Sequence, residues 1–157
     1  MAYGPVGLDF SDNSAGDIQI AVLMKFVSMV YQDDFKRPLV LVCRDRFGRR
    51  GAFYKTMKCL TDCLSLKDRK RIRILFSCFN YGMKEFKLFI EHFPNTYFGI
   101  SPRLIIEDER HPELEKVISQ FNDAEFVLES YSPKLRLPVG GKRPSTPNVI
   151  MRLAERI

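Results

Sequence analysis

The stretch Phe126–Arg143, FVLESYSPKLRLPVGGKR, decides the fold. Phe126-Val127-Leu128 reads as a short buried strand. Glu129-Ser130-Tyr131-Ser132-Pro133 ends it and starts a loop, and Gly140-Gly141-Lys142-Arg143 reads as a mobile basic turn. Thr146-Pro147 then opens a helix, with Thr as the cap and Pro at the first helical position, where a missing N–H is no loss. A strand whose far end opens into a polar, cationic loop and then a helix is one unit of a βα enzyme scaffold. Chemistry in such scaffolds sits at the carboxyl ends of the strands.

Working outward, 157 residues are enough for one domain with a real core. With 45% hydrophobic and 28% charged residues, the composition is that of a soluble globular chain. The apolar runs are short and broken by charges, so no membrane span is expected. The opening residues, MAYGPVGLDF, lack the basic and apolar regions of a signal peptide. Cys43, Cys59, Cys63 and Cys78 show no CxxC spacing, so reduced thiols and an intracellular setting, cytoplasmic or nuclear, are expected. Cys59 and Cys63 lie one helical turn apart. That spacing can bind metal, but two interior thiols on one helix face is the preferred reading. A net charge of +6 favours an anionic partner.

Strands and helices alternate along the chain. Val6–Phe10 reads as a strand and Asp17–Tyr31, almost wholly apolar, as a buried helix. Leu39–Cys43 is an unbroken aliphatic run, the mark of a strand covered on both faces. Ala52–Leu64 is helical, Lys67–Arg71 a charged linker, Ile72–Phe79 a strand and Gly82–Phe93 a helix. Tyr97–Ile100 is a strand, Pro112–Phe121 a short helix, and Pro147–Ile157 the final helix. This order predicts an α/β fold with a parallel sheet and outer helices. The pattern leaves an open doubly wound sheet and a barrel equally admissible. Residues 1–157 read as a single domain.

The opening stretch resembles the end of the TatD-type metal-dependent deoxyribonucleases, which carry a Glu-Thr-Asp-Ser/Ala-Pro strand end, a Gly-Lys-Arg loop and a following helix. The matching residues are Glu129, Ser132, Pro133, Gly141, Lys142 and Arg143. Gly7-Leu8-Asp9 resembles the family's Gly-Leu-Asp, Pro38 to Asp45 its Pro-Leu-Val-Ile-His-Cys-Arg-Asp strand, Ser77-Cys78-Phe79 its His-Cys-Phe, and Phe98–Ser101 its Gly-Ile-Ser strand. The resemblance implies a partial or degenerate TIM barrel of the TatD, amidohydrolase-like type that lacks the family's first strand or strands.

The resemblance also implies a reaction, and the residues for it are missing. Metal-assisted phosphodiester cleavage needs nitrogen and oxygen ligands around divalent ions, which generate hydroxide and neutralise phosphate charge. The family's early His-x-His falls upstream of the matched region. Its glutamate position falls on Pro5, its two strand-end histidines on Val42 and Ser77, and its aspartate on Tyr131. The only histidines, His92 and His111, read as surface and loop residues. No nucleophile stands beside a base. The expectation is a catalytically inactive pseudoenzyme with no cofactor. It would act as a scaffold or adaptor through protein contacts, with residual non-specific nucleic-acid binding. The alternative is a metal-dependent 3'-5' exonuclease or deoxyribonuclease with atypical or partner-supplied ligands.

Asp9, Arg44 and Glu129 remain at strand ends as the remnant of a cleft, and Arg44 and Glu129 could pair across it. Arg46, Arg49, Arg50, Lys142 and Arg143 follow strands and share that face. Arg49 and Arg50 precede a helix, where cations oppose the helix dipole at a cost of roughly 0.3–1 kcal/mol each. A bound phosphate would reverse that sign, so the face is a candidate surface for DNA or RNA. A barrel without its first strands has open edges, so a partner protein or a homo-oligomer is expected to cover them.

Overall fold

The computed structural model describes residues 1–11, 16–46, 49–101, 113–121 and 126–129. Five strands, β1 (Tyr3–Val6), β2 (Leu39–Val42), β3 (Ile74–Ser77), β4 (Thr96–Ile100) and β5 (Phe126–Leu128), pair in parallel in chain order. Between them lie α1 (Gly16–Gln32), α2 (Gly51–Cys63), α3 (Leu66–Arg69), α4 (Met83–His92) and α5 (Leu114–Gln120). The unbroken order resolves what periodicity left open. A doubly wound sheet reverses its strand order to put helices on both faces. Here the strands follow chain order without reversal, and successive helices pack against one another along the sheet, as in the wall of a barrel. Among the described residues the sheet is open, with β1 and β5 at its edges.

The helix-facing side of the sheet is an aromatic core. Phe53, Phe76, Phe79, Phe86, Phe89, Phe93 and Phe98 are all fully buried. Phe98 packs edge-on against Phe79 at 4.7 Å and tilts against Phe86 at 4.5 Å. Each such ring contributes about 1.5–3 kcal/mol by leaving water. The opposite side carries Val40, Val42 and Leu75, half-buried, and Tyr97 and Val127, exposed. Alternation along the strands produces this division, and register keeps it in line, with Val40 beside Leu75 and Leu75 beside Tyr97.

Several expectations change. The first strand ends at Val6, not Phe10, and its register to β2 shifts between Tyr3 and Val6. The chain rejoins β2 as a single bridge at Asp9 and Arg44. The backbone at Gly7 lies so close to β2 that a Cβ there would come within 1.9 Å of the Val42 carbonyl oxygen. Only glycine fits that approach, and it breaks the ladder. The α1 helix is not buried all round. It buries Leu23, Val27 and Val30 and leaves Ile18, Val22, Met24, Met29 and Tyr31 exposed.

Strand β2 is fully buried on one face only. At β5, Val127 and Leu128 are exposed because the strand is an edge. The presumed linker holds the short helix α3, whose Ser65 cap accepts a hydrogen bond from the Asp68 N–H. Ser65 and Asp68 stand three apart, a capping pair legible in the sequence and missed. Of the two cysteines on α2, Cys59 is interior and Cys63 is exposed. The Gly140–Arg143 turn and the final helix lie outside the described residues.

Candidate functional site at the strand carboxyl ends

Parallel strands with helices on one face gather their carboxyl ends at one rim. Asp9, Arg44, Asp45, Cys78, Ser101 and Glu129 follow the ends of successive strands there. Asp9 and Arg44 form the first tie. Their backbones exchange bonds across the gap, Arg44 N–H to Leu8 O at 2.9 Å and Phe10 N–H to Arg44 O at 2.8 Å. The Arg44 guanidinium sits 3.6 Å from the Asp9 carboxylate. Both side chains are about two-fifths exposed, so the ion pair itself is worth roughly 0–1 kcal/mol. Gln19 on α1 holds Asp9 from the other side, accepting from its N–H at 2.6 Å and donating to its carbonyl at 3.2 Å.

Asp45 is the residue that sequence reading passed over. Its carboxylate accepts from Ala52 N–H at 2.8 Å, Phe53 N–H at 3.3 Å and the Tyr81 hydroxyl at 2.9 Å. The position at the start of α2 offered above to a phosphate is therefore filled by the protein's own anion. Arg50, which formally begins the helix, makes no side-chain cap. It turns instead to the buried Glu85, 3.4 Å away, and lies over the Tyr81 ring. Tyr54 donates to the same Glu85 oxygen at 3.2 Å. Arg46 donates to Ser11 O at 3.0 Å, and Arg49 is exposed. The cationic stretch thus has two members engaged by named partners and one facing solvent. Burial drives the Tyr81 hydroxyl far above its ordinary pKa, reinforced by Cys43 and Asp45, so it stays a proton donor.

Glu129 is held by a backbone donor. Its carboxylate accepts from the Cys78 N–H at 2.8 Å. Cys78 sits at φ 53°, the left-handed region a non-glycine residue rarely adopts. Burial raises its thiol pKa, and the negative Glu129 raises it further, while the Ser101 and Ser77 hydroxyls oppose the shift. A thiol held protonated is a poor nucleophile. Cys43, wholly buried and 3.2 Å from the Thr56 hydroxyl, is pushed by burial to about 12.

At the described positions where the resemblance expects ligands, the side chains differ from the family's. Pro5 is exposed and has neither an N–H nor a donor on its side chain. Val42 and Ser77 are direct register partners of β2 and β3, one apolar and the other a neutral hydroxyl. Tyr131, Lys142 and Arg143 lie outside the described residues, as does His111. His92 bonds its own helix at Leu88 O, 3.0 Å away. Among the described residues, no group of three or more His, Cys, Asp or Glu side chains comes together around a shared point. None of the described helices is long and apolar enough to cross a membrane.

Compared with known families, the chain matches the family model described as TatD related DNase over residues 1–157. No curated protein matches it significantly.

Proposed function

Because the chain belongs to the TatD-related DNase family, we propose that it is a nuclease-related protein that has given up cleavage and acts as a scaffold or adaptor through protein contacts. The observation that carries this reading is the Val42–Ser77 pair. At the two adjacent strand ends where the resemblance expects histidines, an isopropyl group and a hydroxyl stand side by side. Neither supplies the imidazole nitrogen that the resemblance expects a metal to take from these positions. What the rim retains is structural. Asp45 caps α2, Asp9 and Arg44 bridge β1 to β2, and Glu85 neutralises Arg50.

The partner-binding surface in this reading is the side of the domain beside β1. There α1 exposes Ile18, Val22 and Met29 at spacings that share one helix face, next to a strand that is an edge among the described residues. Weak, sequence-independent DNA or RNA binding would run through Arg46 and Arg49 on the rim. A cleavage assay tests the reading. Single- and double-stranded DNA incubated with micromolar protein and Mg²⁺ or Mn²⁺ should remain uncut, and a complex isolated by native purification should survive chelator. Cutting that depends on the metal and stops with chelator would overturn it.

A further inference from the structure

Glu129 does something at the rim that neither metal binding nor an ion pair accounts for. Its carboxylate lies flat over Gly99. A Cβ built on Gly99 would come within 2.3–2.5 Å of the Glu129 carboxylate atoms. From there it reaches past β4 to the N–H of Cys78 at 2.8 Å, a contact between residues 51 apart in sequence. The Glu129 N–H meanwhile binds Ile100 O at 2.9 Å. Gly99 also lies beside Val127 of β5, and Phe79 N–H binds the Gly99 carbonyl at 2.9 Å.

We infer that Glu129 is a positioning residue, a carboxylate latch that fastens edge strand β5 to the turn after β3, and that Gly99 is its seat. The latch has two physical supports. A carboxylate accepting a backbone N–H in a half-buried site makes a charge-assisted hydrogen bond, stronger than a neutral one. It also satisfies the amide of Cys78, a residue in a backbone conformation that its surroundings must hold. Strand β5 has only three residues and, among the described residues, its one ladder is to β4, so a second attachment to the turn after β3 decides where its end lies. Gly99 lacks the positive φ that would itself demand glycine. The three atoms nearest to a Cβ placed there all belong to the Glu129 carboxylate. The latch is a claim about placement and holds whether or not the chain cleaves DNA.

A double-mutant cycle tests it. Gly99→Ala should lower the melting temperature by about 2–4 °C, because the new methyl evicts the carboxylate. In the Glu129→Ala background the same change should cost almost nothing. Equal costs in both backgrounds would overturn the latch. If Gly99→Ala fails to fold, amide exchange of Cys78 gives the second readout. It should quicken roughly tenfold or more in Glu129→Ala, with Glu129→Gln, which keeps an acceptor oxygen, in between. Exchange at Cys78 unchanged by Glu129→Ala would overturn the inference. So would loss of Cys78 protection in the wild type on adding Mn²⁺, which would make Glu129 a metal ligand.

Discussion

The two faces of the sheet differ in what holds them. On the helix side, seven fully buried phenylalanines interlock between β3, β4, α2 and α4. On the other side and along the rim, a few polar ties do the work over a sparse apolar surface: Asp9 with Arg44, Asp45 with α2 and Tyr81, and Glu129 with Cys78. The first face is redundant, since each ring has several neighbours. The second is not, since each carboxylate has a particular donor to satisfy. A fold can keep its packed wall under selection for folding alone while its rim drifts away from metal chemistry. In the proposed reading, that asymmetry is what remains when a nuclease-related fold serves as a scaffold.

The largest test of the contrast is on the packed face. Phe98→Ala should cost about 3–5 kcal/mol, read as a lower urea midpoint, because Phe98 meets Phe76, Phe79, Phe86 and Phe89 at once. A cost under 1 kcal/mol would mean that the aromatic wall is loosely packed. On the rim, Asp45→Ala should cost about 2–3 kcal/mol by removing the α2 cap and orphaning the buried Tyr81 hydroxyl. Tyr81→Phe in the Asp45→Ala background should return part of that loss. No recovery would separate the cap from the tyrosine.

The pH dependence has a definite sign. Cys43 is raised from an ordinary 9.0 to about 12 by burial, and Cys78 and Tyr81 are raised as well. Above pH 9 the unfolded chain releases a thiol proton that the folded chain keeps. The stability contributed by Cys43 is therefore fully present below about pH 9 and is lost as pH rises toward 12. The loss runs at about 1.4 kcal/mol per pH unit for one group. Thermal melts from pH 8 to 11 should show it, and Cys43→Ala should make the curve shallower. A melting temperature that stays flat across that range would place Cys43 in water. The smallest effect is expected on the exposed side of α1. Val22→Lys should change stability by less than about 0.5 kcal/mol yet abolish partner capture. A large loss of stability there would mean the helix face is not free.

How much of this was legible beforehand depends on the kind of signal. Alternating strands and helices announced themselves through aliphatic runs such as Leu39–Cys43 and through Phe53, Met57 and Leu60 at helical spacing. The elements among the described residues reflect such local patterns except β1, which lies upstream of the Val6–Phe10 run, and α3, whose Ser65–Asp68 capping pair was hidden in a charge run. Barrel-like winding was not legible in the periodicity, because it is a property of strand order rather than of any segment, and only the family resemblance implied it. At the rim, Asp9, Arg44 and Glu129 were found, but their partners were not. Asp45 was matched to a family strand but given no role, because a carboxylate six residues before a helix reads as loop charge until the loop folds it back onto Ala52. Glu129 and Cys78 meet only because β4 lies between them with a glycine at the crossing point. Such pairings belong to the tertiary structure and leave no periodicity behind.

Divalent-ion binding is the most direct measure of the central claim. Mn²⁺ titrated into the purified protein in a calorimeter should give no saturable heat at micromolar concentration. The melting temperature should be the same in Mn²⁺ and in chelator. One ion bound per chain with micromolar affinity, together with a melting temperature that rises with the metal and falls with chelator, would contradict it.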